Sequence, residues 1–155
     1  MYVTRVPGGD KIPVSIVLVE ESDYRKITKK RYFFNWKIEK SYTVYKLEIR
    51  DQKEILGLVS IDIIDKEQRI EIRLLAVAKE QLGKDKTLDR IAGSLFAFIA
   101  KLAVKKYGAF AAVSLRPKTV LRQYYMQKYG FEQAGNSLVL EGKSLLSIIK
   151  IYNDE

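Results

Sequence analysis

What most constrains this chain is a change of period between residues 68 and 107. Residues 69–77, Arg-Ile-Glu-Ile-Arg-Leu-Leu-Ala-Val, read as a strand that places Glu71, Arg73, Leu75 and Val77 on one face. After an intervening loop, the apolar positions Ile91, Leu95, Phe98 or Ile99, and Leu102 fall at helical spacing, with Lys105, Lys106 and Gly108 as stop signals. A short apolar strand over residues 109–115 follows. Strand, long helix and strand in this order make a right-handed crossover, and the rest of the chain has to build a sheet against that helix.

Residues 14–19 are a β-branched strand candidate, and residues 20–30 have helical composition with Ser22 or Asp23 as a cap. Residues 42–50, 55–64 and 69–77 form a meander with turns at 51–54 and 65–68, which predicts antiparallel pairing. Towards the C-terminus come a helix over 118–129 closed by Gly130, a strand over 137–140 and a helix over 144–152. The class is α/β, a mixed central sheet flanked by helices. At 155 residues the chain is expected to be one domain spanning 1–155, with residues 1–12, turn-rich around Pro7-Gly8-Gly9-Asp10, a flexible lead or a loose hairpin.

The chain contains no cysteine and no histidine. Disulfides, thiolate nucleophiles, zinc–sulfur sites and every Ser–His or Cys–His arrangement are excluded, and no metal is expected. Acid–base chemistry therefore falls to carboxylates, Tyr, Lys, a terminus or ordered water. A net charge of +9, from 28 basic and 19 acidic side chains, implies an acidic partner without naming it. Residues 1–13 lack the apolar core of a signal peptide, and no run of about 18 apolar residues occurs. The expected location is cytoplasmic, with no membrane partner.

Two stretches carry chemistry. In the loop after the strand at 69–77, Gly83 permits unusual backbone angles, the following helix offers free N–H groups, and Lys84, Lys86 and Arg90 bring positive charge: a phosphate fits there. The plainer reading of Gly83-Lys84-Asp85-Lys86 is a solvated turn with Thr87 as a helix cap. Residues 25–40 interleave Arg25, Lys26, Lys29, Lys30, Arg31, Lys37 and Lys40 with Tyr32, Phe33, Phe34 and Trp36. Basic residues with aromatics suggest a nucleic-acid or acidic partner; if the aromatics pack inward, base stacking is lost and only charge remains.

The segment Leu74-Leu75-Ala76-Val77, the loop and the helix after it, with Gln127-Lys128-Tyr129-Gly130-Phe131 downstream, resemble the acyl-coenzyme A region of the GNAT superfamily of N-acetyltransferases over residues 55–140. The resemblance implies a cofactor strand at Leu75, Ala76 and Val77. It also implies a pyrophosphate loop of pattern R/Q-x-x-G-x-G/A involving Gly83, Lys84, Asp85, Lys86, Arg90, Ala92 and Gly93. The loop departs from that pattern: with Arg90-Ile91-Ala92-Gly93 as anchor, Arg90 stands where the central glycine belongs and about five residues are extra, while Gln81 with Gly83 and Lys84 has the wrong spacing. Over nearly the whole chain the sequence resembles a group of small GNAT-like proteins common in Bacteroidetes. The matching segments are Tyr24-Arg25-Lys26, Asn35-Trp36, Gly83-Lys84-Asp85-Lys86, Ala92-Gly93-Ser94-Leu95, and Lys118-Thr119 with Leu121 and Tyr125. Members often carry Glu where this chain has Ala76.

The implied activity is transfer of an acetyl group from acetyl-CoA to an amine by direct attack. Tyr125 would be the acid for the leaving thiolate and Glu71 the base; the plainer readings are a half-buried tyrosine and a surface or cross-strand ion pair. The alternative is a GNAT-like binding protein that has lost efficient catalysis and uses the basic face at 25–40 for nucleic acid or an acidic partner. A third reading joins the two, an acetyltransferase toxin acting on charged transfer RNA. A C-terminal edge strand would suit a homodimer.

Overall fold

The computed structural model describes residues 1–117 and 119–152; the expectation that Lys118 opens a helix lies outside them. β1 (Tyr2–Arg5) and β2 (Lys11–Leu18) form an antiparallel hairpin with Val3 opposite Ile12 and Thr4 opposite Lys11. Of the two expectations for the opening residues, the structure has the hairpin. β2 runs on to pair with β3 (Thr43–Ile49), from Val14 opposite Ile49 to Leu18 opposite Tyr45.

Between β2 and β3 the helix expected over 20–30 does not form. The chain makes a 3-10 turn at Glu21–Arg25, the single-turn helix α1 (Lys29–Tyr32) and a second 3-10 segment at Trp36–Ser41. Asp23 is not a simple cap. Its Oδ2 accepts from the Glu20 backbone N–H (2.7 Å) and pairs with Lys46 (2.8 Å). The Tyr32 hydroxyl donates to the Ile55 carbonyl (2.8 Å), and the Trp36 indole N–H donates to the Tyr32 carbonyl (3.0 Å). Helical composition loses because Asp23 and Tyr32, nine residues apart and so on opposite sides of a straight helix, both find buried partners.

β4 (Ile55–Ile64) and β5 (Arg69–Val77) match the expected meander. A two-residue strand, β6 (Leu88–Asp89), precedes the long helix α2 (Ile91–Tyr107); the helical segment expected over 88–107 starts at Ile91, because residues 88–89 are taken into the sheet. β7 (Ala112–Leu115), α3 (Thr119–Tyr129), β8 (Glu132–Ala134), β9 (Ser137–Glu141) and α4 (Gly142–Tyr152) complete the chain. The strands are ordered β6-β1-β2-β3-β4-β5-β7-β9-β8. β5 and β7 pair in parallel, as the crossover requires, whereas β1 with β2, β2 with β3, and β7 with β9 are antiparallel. The sheet is mixed and flanked by helices, as expected.

Contacts divide the chain into two units, Met1–Ser60 with Leu74–Leu95, and Ile61–Arg73 with the residues from Phe96 onward. In the first, Tyr32, Trp36 and Leu58 are at most 1% exposed and pack with Ile27, Val44, Ile55, Ala76 and Ala78. Gly57 on β4 faces the first turns of α2. A Cβ there would lie 3.0 Å from Ile91 Cγ2, 3.0 Å from Leu95 Cδ1 and 3.3 Å from the Ala76 carbonyl oxygen. A buried ionic group also belongs to this unit: Lys46 Nζ lies between Asp23 (2.8 Å) and Glu48 (3.3 Å). Nearby in sequence, Glu39 accepts from the Ser60 hydroxyl (2.8 Å). Burial works to raise the Asp23 pKa, but the hydrogen bonds from Lys46 and the Glu20 backbone, with the Lys46 charge, outweigh it and hold the carboxyl below its ordinary range. In the second unit Phe96 is the centre of an aromatic group, with ring centroids 4.9 Å from Tyr129, 5.2 Å from Phe131 and 5.6 Å from Tyr125, all near edge-to-face.

Two outcomes follow for stability. Gly57→Ala overpacks the seat of α2 and is expected to destabilise the protein by about 1–3 kcal/mol in chemical denaturation; an unchanged midpoint would mean that the helix shifts freely. Lys46→Met leaves two buried carboxylates without their cation and is expected to cost about 3–5 kcal/mol at pH 7. The sign is fixed by Asp23. With its folded pKa depressed, the pair stabilises the parent above the ordinary carboxylate pKa, and that contribution is lost as pH falls through the lower folded value. In the variant, burial acts on Asp23 unopposed by Lys46, so the deficit shrinks on acidification. An equal deficit at pH 7 and pH 3.5 contradicts this account.

Candidate active site

The parallel ladder of β5 with β7 runs from Arg69 opposite Ala112 to Ile72 opposite Leu115 and ends there. Residues 74–77 of β5 therefore have no β7 partner, although the strand continues to Val77 and the Ala78 N–H is still held by the Leu56 carbonyl (2.8 Å). Ala76 is buried, and Leu75 and Val77 are half-buried. Their backbone edge is the kind of surface on which an extended amide-bearing arm can hydrogen-bond.

The chain then enters the loop. A 3-10 turn at Lys79–Gln81 delivers the Gln81 side chain across its base: Oε1 accepts from the N–H groups of Thr87 (3.0 Å) and Leu88 (2.9 Å), and Nε2 donates to Thr87 Oγ1 (2.9 Å). Thr87 is thus part of this closure and not the helix cap its position suggested. Gly83 has φ +79, with open space around the position a Cβ would take, so the turn needs glycine for its backbone angle. Lys84 and Asp85 are exposed, and Lys86 pairs with Asp89 (3.1 Å).

At the start of α2, Arg90 has φ +79. The sequence puts Arg90 where the superfamily pattern has its central glycine, and the backbone there has the left-handed conformation that glycine favours. For arginine this costs about 1–2 kcal/mol. Part is offset where its guanidinium lies over the Tyr2 ring, 4.4 Å from the centroid, a contact worth about 0.5–2 kcal/mol. Lys11 Nζ lies 4.5 Å from the centroid of the same ring. The first backbone bond into the helix is Ser94 N–H to the Arg90 carbonyl (3.0 Å), so the N–H groups of Ile91, Ala92 and Gly93 precede it, as at any helix start that can receive an anion. Ala92 is half-buried and Gly93 buried.

Tyr125 and Glu71 both belong to the second unit. Tyr125 is half-buried, and neither its hydroxyl nor the Glu71 carboxylate hydrogen-bonds to the other. Burial, helped by the neighbouring Tyr124, pushes the Tyr125 pKa up, so the hydroxyl is neutral near pH 7 and able to donate. The plainer readings of Glu71 were a surface or a cross-strand ion pair; its carboxylate lies 3.5 Å from Arg69, two residues back on the same face of its own strand, and Arg69 also donates to Ser114 Oγ (2.7 Å) and to Glu67 (3.0 Å).

Residues 25–40 separate cleanly. Tyr32 and Trp36 are core residues and Phe34 lies edge-on to Trp36 (6.2 Å), so stacking on bases is unavailable to the first two. Arg31 is committed to Glu80 (2.7 Å) and Glu54 (3.2 Å), which ties α1 to the turn before the loop, and Lys40 is committed to Glu21 (2.7 Å). Arg25, Lys26, Lys29, Lys30 and Lys37 are exposed and carry no ion pair among the described residues. Among the described residues no cluster of His, Cys, Asp or Glu is placed to hold a metal ion, and no helix is long and apolar enough to cross a membrane.

No family model and no curated protein matches the sequence. Solved structures do match the fold. A spermidine N-acetyltransferase SpeG chimera from Vibrio cholerae and hSSAT superposes with a TM-score of 0.65 at 14% identity, covering 86% of this chain and 98% of that one. AtaTR bound with AcCoA gives 0.60 at 12% identity over 87% of this chain and 97% of that one. The ribosomal-protein-S18-alanine N-acetyltransferase from Escherichia coli gives 0.58 at 12% identity over 82% and 91%. Identities this low carry the architecture alone, and that architecture is the GNAT acetyltransferase fold.

Proposed function

We propose that this chain is an acetyl-CoA-dependent N-acyltransferase that moves an acetyl group to an amine by direct attack. The observation that carries the reading is the end of the β5–β7 ladder at Ile72 and Leu115, which leaves the backbone edge of Leu75, Ala76 and Val77 beyond the paired stretch among the described residues, just before a loop that leads to a helix start. The pantetheine arm hydrogen-bonds along that edge. The pyrophosphate is held by the N–H groups near Gly83, Ala92 and Gly93 with Lys84, Lys86 and Arg90 as cations, and the exposed Asp85 stays turned to water. AtaTR, which shares the fold, is bound with AcCoA in its solved structure, and this supports the choice of donor.

The chemistry asks little of the protein. A deprotonated amine adds to the thioester carbonyl, the tetrahedral adduct collapses with cleavage of the carbon–sulfur bond, and the departing thiolate takes a proton. Tyr125 is the proposed donor of that proton and Glu71, through water, the proposed acceptor of the amine's. Members of the small GNAT-like group often carry Glu where this chain has Ala76, which removes a base at that position and favours the second reading below.

A second reading has its own support. Arg69 already engages Glu71, and five cations at 25–40 carry no ion pair among the described residues, which suits a catalytically degraded binding protein that holds nucleic acid or an acidic protein by charge. Calorimetry with acetyl-CoA and with CoA is the first test. The parent is expected to bind both, and Gly83→Asp and Lys84→Glu are each expected to weaken binding by roughly tenfold or more, the value of one charge-assisted hydrogen bond. No binding by the parent overturns the acyltransferase reading. Binding without thiol release across an amine panel, together with salt-sensitive transfer-RNA binding, favours the second.

A further inference from the structure

The N-terminal hairpin has no role in the reading above, yet it touches the loop on which that reading rests. β1 pairs with β6, Thr4 opposite Asp89 and Arg5 opposite Leu88, and the Val6 N–H donates to the Thr87 carbonyl (2.9 Å). β6 stands at the end of the strand order beside β1, and among the described residues its backbone pairing comes from residues 4–6. A second fastening of the loop is the Gln81 side chain, which grips Thr87 and Leu88 from within. Residues 82–86 span the gap between these fastenings.

Tyr2 sits on the same strand and reaches one step further along the chain, to Arg90. Arg90 is the residue with the glycine-like backbone, and glycine would adopt that backbone without strain. What arginine adds is a guanidinium, and the structure lays it over the Tyr2 ring. The ring does so while Lys11, which has no ion pair among the described residues, approaches it as well. An aromatic ring is suited to this task because its face attracts a cation without taking up the N–H donors at the guanidinium edge.

We propose that Tyr2 is a positioning residue of the cofactor loop: its ring holds the Arg90 guanidinium at the start of α2, where it meets the phosphates of coenzyme A. The ligand assignment rests on the acyltransferase reading, but the mechanical part does not. The N-terminal strand then acts as a fixed wall of the loop, and the extra residues of this loop relative to the superfamily pattern are ordered by a strand far away in sequence.

The test uses the full chain, with Tyr2→Leu, Tyr2→Phe, Arg90→Gly and Arg90→Ala. Two readouts are taken: amide exchange of residues 82–90 without ligand, and affinity for coenzyme A. Tyr2→Phe keeps the ring and is expected to match the parent in both. Tyr2→Leu keeps the apolar bulk and loses the π face; exchange in 82–90 is expected to rise about tenfold with residues 55–64 unchanged, and coenzyme A affinity to fall about tenfold. Arg90→Gly and Arg90→Ala are expected to lose the same affinity, but Arg90→Ala has the lower melting temperature because it keeps the left-handed backbone strain. Parent-like exchange and affinity in Tyr2→Leu overturn the proposal, as does failure of Tyr2→Phe to restore them. If the parent itself does not bind coenzyme A, the acyltransferase reading and the ligand assignment fall, and the exchange arm alone decides whether Tyr2 orders the loop.

Discussion

The close approach at Gly57 is the constraint on which the loop geometry depends. With hydrogen in place of a side chain, β4 lets Ile91 and Leu95 of α2 settle to where a Cβ would already be in tight contact. That seats the first turns of the helix against β4 and beside the buried Ala76 of β5. Just before the seated helix start, Arg90 takes a left-handed turn into α2. The residue whose charge the proposed chemistry uses thus directly precedes Ile91, one of the two side chains that close on Gly57.

The polar side chains show a related division of labour. In the first unit, charge is either neutralised in the interior or left at the surface. Asp23, Lys46 and Glu48 are buried together, and their mutual contacts replace lost hydration. Arg31 and Lys40 are engaged by Glu80, Glu54 and Glu21, which fastens the segment between β2 and β3 to its neighbours. What remains at 25–40 is an exposed set of cations on a scaffold whose main aromatic side chains are used up in packing. The stretch that most resembles a nucleic-acid motif in composition is therefore, for the most part, a piece of core with a charged outer surface.

Legibility followed the range of the interactions involved. β4 and β5 were readable to the residue because long apolar runs bounded by turns decide both their existence and their ends. The helix over 20–30 was misread because its composition is helical while its side chains answer to distant partners: Asp23 to Lys46, Tyr32 to Ile55. In the candidate site, Gly83 was readable as a turn glycine from its own chemistry. The anomaly at Arg90 was also readable as a residue in a glycine's place, and the left-handed backbone gives it a physical form. Gln81 was noticed only as a poorly spaced anchor. Its hydrogen bonds to Thr87 and Leu88 depend on a turn that brings residues six and seven positions apart together, and no residue type announces that.

By itself the sequence determined the elements whose cause is local: the apolar strands, the long helix, the turn glycines, the absence of histidine and cysteine, and so the restriction to carboxylate, tyrosine and lysine chemistry. The hairpin was present in it only as a turn-rich opening, equally readable as a flexible lead. Only the tertiary structure decided that β1 pairs with β6 across more than eighty residues of chain, that Tyr2 lies against Arg90, and that the β5–β7 ladder stops at Ile72. The reason is physical. Hydrophobic period and turn propensity act over a few residues, whereas strand partners and ring–cation contacts are chosen by which surfaces the packed core leaves side by side.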